Sequence, residues 1–294
     1  MQLFSDCVRM LTESHHTSKK DKPLKKQNEM TIKTLTPFLA ITFGLTWGLA
    51  ALLFFFYDQI VAIFGEINMS NPLYIIAVYA PGFASVILVL KHYGFKGLGS
   101  FFKRFTLWRA SKWGWLLIIL GIPTVMFAGA AINGTLATTF PFSPWHQVFP
   151  ALALALFLGP IEEFGWRGIA LPLLQKRMAP FWAGLLLGVI WMLWHIPGFL
   201  ISGTVQSGWA FAPFFVGGVA SSLLMTAIFN DSRGSLLLPF LLHFQMNNPI
   251  WPNAQPWDNA LLVVIALVVV LINRHKMFDR TAGINQVLFQ ESNR

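Results

Sequence analysis

Three charged side chains fall within one apolar stretch of the sequence, in the run GPIEEFGWRG: Glu162, Glu163 and Arg167. Charged groups inside a membrane span are costly and face the interior of a helix bundle. Helix geometry separates their roles. Glu163 and Arg167 are four residues apart on one face, in the order that favours an ion pair. Glu162 points about 100° away, so it is expected to stay outside that pair. A carboxylate so placed suits a general base that takes a proton from water. Two histidines lie in similarly apolar surroundings, His195 in WMLWHIP and His243 in LLHFQMNN. Asn247 follows His243 by one helical turn and shares its face.

Depth brings these groups to one level. At ~1.5 Å of rise per residue, Glu162 lies roughly 20 Å from Arg177, and His195 roughly 22 Å from the start of its own span. His243 and Asn247 lie roughly 14 and 20 Å beyond Arg233. All four are predicted near the bilayer midplane, where polar groups need a wet cavity. A carboxylate beside an imidazole can activate water. A second imidazole and a carboxamide can donate to a developing oxyanion, each donor being worth about 3 kcal/mol. These are the parts for hydrolysing an amide. Glu162, His195 and His243 also form a Glu–His–His set of the kind that holds catalytic zinc. Metal-bound water and water activated by protein alone both remain open.

The elements that must position these residues follow from composition. The chain has 294 residues, 55% hydrophobic and only 11% charged. Soluble domains carry about 25% charged residues, so an ordinary solvated surface is excluded. The fold class is all-α: a polytopic integral membrane protein with about eight transmembrane helices and the site among helices 4, 5 and 7. The spans are read at roughly 36–57, 72–90, 113–132, 148–173, 180–200, 209–229, 234–250 and 259–273, each near the ~20 residues a crossing needs.

Charge placement supports that count. Twenty of the 21 Lys and Arg residues fall before span 1, after span 8 or in alternate loops, while segments 58–71, 133–147, 201–208 and 251–258 have none. The positive-inside rule then places both termini in the cytoplasm of a multi-pass cell-membrane protein. The net charge of +9 reports topology and contact with anionic lipid, not nucleic-acid binding. Gly94 to Lys112 mixes Phe, Leu and Trp with basic residues and is expected to lie along the cytoplasmic interface. Residues 1–34 read as a basic, disordered cytoplasmic tail, with Met30 an alternative start. Residues 35–275 read as one transmembrane domain and 276–294 as a cytoplasmic tail. Gly44/Gly48 and Gly184/Gly188 are small-xxx-small pairs suited to close helix approach.

Three motifs now combine. Glu162, Glu163 and Arg167 fit EExxxR; Trp191 and His195 fit FxxxH with Trp for Phe; His243 and Asn247 fit HxxxN. Their order and eight-span setting resemble the CPBP family, also called Abi or CAAX-protease-and-bacteriocin-processing proteins, which includes type II CAAX prenyl endopeptidases. The motifs cover 162–247, and the other spans match in general character only. The resemblance implies an intramembrane endopeptidase acting on a membrane-associated protein or peptide. It implies that Glu162 is the base assisted by His195, that Glu163 and Arg167 are an orienting pair, and that His243 and Asn247 stabilise the oxyanion. Cleavage is expected near the cytoplasmic half of the bilayer. Family annotation often says metalloprotease; a divalent ion, if present, would use Glu162, His195 and His243.

Other intramembrane protease designs fit poorly. HExxH is absent, Asp58, Asp231 and Asp258 sit at span ends, no GxSG serine occurs, and Cys7 lies in the tail. Two further readings stand beside the protease: a non-proteolytic partner or bacteriocin-immunity protein that keeps the cluster for stability, and a proton-coupled transporter. The lack of an internal repeat weighs against the transporter.

Overall fold

The computed structural model describes residues 29–137 and 140–290. Among the described residues the regular structure is entirely helical, and the molecule is a polytopic membrane protein. Six helices are long and apolar enough to cross a bilayer: α1 (Ile32–Phe55), α2 (Pro72–Thr106), α3 (Lys112–Asn133), α4 (Trp145–Gln175), α5 (Pro180–Leu200) and α6 (Phe211–Asp231). Two shorter apolar helices follow, α7 (Leu237–Met246) and α8 (Trp257–Ile272). Each corresponds to one expected span.

The seventh is shorter than its expected range for a local reason. Past Met246 the chain contains Pro249 and Pro252, which cannot donate to a helical ladder. Side chains take over: Trp251 Nε1 donates to the Gln245 carbonyl at 2.7 Å, and Gln245 Nε2 donates to the Ile118 carbonyl at 3.2 Å. The polar residues of this segment thus hold an irregular end against α3.

Helix α4 departs from a regular rod. Its first part, Val148–Phe157, stops before Gly159–Pro160, and a 3-10 turn over Pro160–Glu162 leads into Glu163–Gly165. A proline inside a helix removes one hydrogen bond and crowds the carbonyl four residues back. A π-helical turn, Trp166–Ala170, follows before the helix resumes at Leu171–Gln175. Such turns re-aim side chains and recur at functional sites. Both acidic residues and Arg167 therefore sit in the irregular middle of the span.

Helices α5 and α6 pack closely through small residues. A Cβ at Gly188 would lie 2.9 Å from Ser222 Cβ, and Ser222 Oγ donates to the Gly184 carbonyl at 2.9 Å. Gly184 and Gly188 thus admit the neighbouring backbone, as their spacing predicts. Gly44 and Gly48 differ: a Cβ at either meets nothing within 4 Å.

The two ends of the bundle are chemically distinct. One carries the Lys/Arg-bearing segments. Here α2 bends at Gly94 (φ 63°), where the interfacial stretch begins, and Trp108 and Trp113 are exposed. Arg104 belongs to that stretch yet has no exposed surface. Its Nε donates to the Gly234 carbonyl at 2.9 Å, and its Nη1 reaches the Gly168 and Val287 carbonyls at 3.0 and 2.8 Å. Counted only as one more topological charge, this arginine is in fact a polar knot joining α4, the α6–α7 turn and the segment after α8.

Packing also extends into both terminal segments. Met30 is fully buried, with its N–H on Tyr93 Oη at 2.8 Å and its carbonyl receiving Lys176 Nζ at 2.7 Å. The folded part thus begins before residue 35, while the rest of the expected tail, residues 1–28, lies outside the described residues. After α8, Val287 is buried and the Phe289 N–H bonds the Ser100 carbonyl at 3.3 Å.

Candidate active site

Glu163 is the hub of the buried polar cluster. Arg167 Nη1 donates to its Oε1 at 3.2 Å and lies 2.9 Å from Oε2, forming the ion pair expected from their spacing. His243 Nδ1 also meets Glu163 Oε1, at 2.7 Å. Glu163 and Arg167 have no exposed surface, and His243 has 4%. One carboxylate therefore fixes both an arginine on its own helix and a histidine from α7. Helical spacing foretells the first contact but not the second, which depends on how α7 docks.

Glu162 stays outside that ion pair but is held as well. Trp191 Nε1 donates to its Oε2 at 2.8 Å. The donor comes from α5, so the periodicity of α4 alone could not reveal it. Phenylalanine at this position would fill the same space but offer no hydrogen. The Trp191 ring has three other neighbours: Arg167 Cζ lies 4.7 Å from its centroid, and the rings of His195 and His243 each lie 5.5 Å away. The residue at the aromatic position of the second motif is the central wall of the cluster.

His195 ends the regular part of α5, and its Nδ1 faces the Trp191 carbonyl at 2.8 Å. A carbonyl only accepts, so Nδ1 carries the hydrogen and Nε2 is the free position. Among the described residues neither histidine hydrogen-bonds Glu162. Asn247 caps the end of α7, its N–H 3.1 Å from the His243 carbonyl.

Gly159 is a site residue that sequence reasoning passed over. A Cβ there would strike Asn247 Nδ2 and come within 3.0 Å of His243 Nε2. The Gly–Pro pair in an apolar span was the available signal. Gly159→Ala should displace both side chains while leaving the outer packing in place. Since a misplacement of about 1 Å can cost ~10²-fold in rate, turnover should fall by about that factor with little change in thermal stability. Activity assays beside a melting curve check this.

Glu162, His195, His243 and Asn247 line one cavity of about 490 Å³, with Trp191 and Gly159. Helices 4, 5 and 7 supply all four, as the depth comparison predicts. The cavity extends from this level past Ile67, Met69, Val205 and Asn253, on segments that carry no Lys or Arg. Its lining includes no residue from the basic segments between α2 and α3, α4 and α5, or α6 and α7. The cavity thus runs away from the Lys/Arg-bearing segments.

The metal alternative meets a geometric obstacle. Among the described residues no group of three His, Cys, Asp or Glu side chains is arranged to hold a metal ion. Glu162 Oε2 takes the Trp191 indole hydrogen, while His195 and His243 are held through Nδ1 alone and keep Nε2 open, the way a ligating imidazole is usually oriented. What the arrangement lacks is the convergence of the three side chains on one point.

Residues 144–248 match the family model described as type II CAAX prenyl endopeptidase Rce1-like. The chain is also 28% identical over 176 residues to CAAX prenyl protease 2 of Methanococcus maripaludis. The chain resembles the CPBP family of intramembrane proteases. The aligned region is 56% of this chain and 63% of that relative, so the likeness spans less than two thirds of the relative's length. The family match contains every CPBP motif residue, from Glu162 to Asn247.

Proposed function

We propose that this protein is an intramembrane endopeptidase that hydrolyses a peptide bond of a membrane-associated substrate with protein-activated water. The observation that carries the reading is the convergence of Glu162, His195, His243 and Asn247 on one cavity within the bundle. The likeness to a CAAX prenyl protease supports it.

Each group has work that its surroundings suit. The indole of Trp191 fixes Glu162 through Oε2, leaving Oε1 to take a proton from water as general base. His195, with Nδ1 committed to a carbonyl, offers Nε2 to accept the second water hydrogen and orient the nucleophile. Water oxygen attacks the scissile carbonyl carbon, and the carbonyl oxygen becomes an oxyanion. Asn247 Nδ2 and His243 stabilise it. Glu163 bonds His243 Nδ1 and so fixes that ring beside the cavity. Collapse of the tetrahedral intermediate breaks the C–N bond, and protonated Glu162 returns its proton to the leaving amine. The Lys/Arg-bearing face and both termini are placed in the cytoplasm by the positive-inside rule.

The test uses purified protein in detergent and a fluorogenic apolar peptide. Asn247→Ala removes one oxyanion donor, and kcat should drop by about 10²–10³ with KM nearly constant. Unchanged kcat would remove Asn247 from the mechanism, and absence of cleavage by the unaltered protein across a peptide library would refute the reading.

A further inference from the structure

Arg104 is a buried cation with no part in the proton transfers. It has no exposed surface, and no carboxylate pairs with it among the described residues. Burying a charge is costly unless hydrogen bonds compensate. Here the compensation comes from the carbonyls of Gly234, Gly168 and Val287. The rings of Phe101 and Phe229 lie 5.8 and 5.3 Å from its Cζ, while Nη2 has no acceptor among the described residues. If this place needed only cohesion, an apolar side chain of similar volume would serve as well or better. What a guanidinium adds is direction, because its donors form a rigid planar fork.

Its acceptors belong to the two elements that carry the buried ion-paired cluster. Gly168 lies in the π turn of α4, beside Arg167. A Cβ at Gly168 would come within 2.7 Å of Phe101 Cζ, so α2 packs directly on that turn. Gly234 leads into α7 with a φ of 87°, a conformation that favours glycine. The Arg104 carbonyl in turn accepts the Leu236 N–H at 3.3 Å. Leu236 is the N-cap of α7, about two helical turns before His243. One residue of α2 thus grips the middle of α4 on one side and the start of α7 on the other. The relative position of these two helices is what makes the His243–Glu163 bond. Resting on the peptidase reading, we propose that Arg104 is a positioning residue: it sets the register of α7 against α4 and thereby the placement of His243 on Glu163. Val287 closes the fork from the segment after α8, which is itself held to α2 by paired bonds between Phe289 and Ser100, both 3.3 Å. Arg104 lines no part of the cavity, so it acts through Glu163 and His243.

Two variants test this. Arg104→Lys keeps the charge and loses the fork. A chain ending after Asn285 keeps Arg104 and α1 to α8 whole but removes the Val287 acceptor. Both are compared with the unaltered protein in detergent, at a temperature where circular dichroism shows each folded. With a fluorogenic apolar peptide, kcat of Arg104→Lys should fall by about tenfold or more while KM stays within about twofold, the split expected when only the transition state loses support. The shortened chain should change in the same sense by a smaller factor. Nitrogen NMR of protein labelled at histidine reads the contact without catalysis. The His243 Nδ1 resonance, assigned by its loss in His243→Gln, should move in both variants toward its position in Glu163→Gln. Unchanged kcat in both folded variants, or an unmoved His243 resonance, overturns the proposal and leaves Arg104 as an anchor of stability alone. If Arg104→Lys does not fold, the shortened chain carries the same two readings. If even the unaltered protein cuts no peptide, the peptidase reading falls, while the resonance still decides whether Arg104 sets the contact.

Discussion

Glu163→Ala should destabilise the bundle by about 3–5 kcal/mol, the range seen when one partner of a buried ion pair is removed. The change strips Arg167 of its carboxylate in a place with no exposed surface. Arg167 Nε and Nη2 already have no hydrogen-bond acceptor among the described residues, and the change also takes the acceptor of Nη1. His243 loses its anchor in the same step. Unfolding in mixed micelles, followed by circular dichroism, measures the loss. A paired replacement, Glu163→Leu with Arg167→Met, removes both charges and should recover most of the stability. It should not recover turnover, because His243 remains without its partner. Equal stability of Glu163→Ala and the unaltered protein would show that the pair contributes nothing.

Glu162→Gln should leave the fold intact and reduce turnover by about 10²–10⁴, the usual contribution of a positioned general base. The amide oxygen can still accept the Trp191 indole hydrogen that Oε2 accepts now, so position is preserved while basicity is lost. Thermal stability close to that of the unaltered protein, beside a collapse in kcat, is the expected pair of results. Cleavage at the original rate would sink the assignment of Glu162 as base. Trp191→Phe separates positioning from proton transfer: it frees Oε2 without removing the carboxylate.

Much of the arrangement was legible because the bilayer imposes simple rules. Apolar length revealed the spans, and the distribution of Lys and Arg revealed their alternation even where α7 is short. Local periodicity foretold the Glu163–Arg167 pair. Contacts between helices were harder to foresee. The Trp191–Glu162 and His243–Glu163 bonds depend on relative helix rotation, which hydropathy does not encode. The break at Gly159–Pro160 was visible as a dipeptide, but its consequence for Asn247 required the position of α7. Arg104 was hidden by its neighbours: among surface cations, nothing marks the one that folds inward.

That arginine has a bearing on how the chain is made. Its carbonyl partners are supplied by residues 168, 234 and 287, in the order in which a ribosome delivers them. Until the last arrives, a guanidinium destined for the interior lacks one of its acceptors, and the middle of α4 lacks its full tether. Full tethering of the irregular middle of α4 therefore waits on the segment that follows α8.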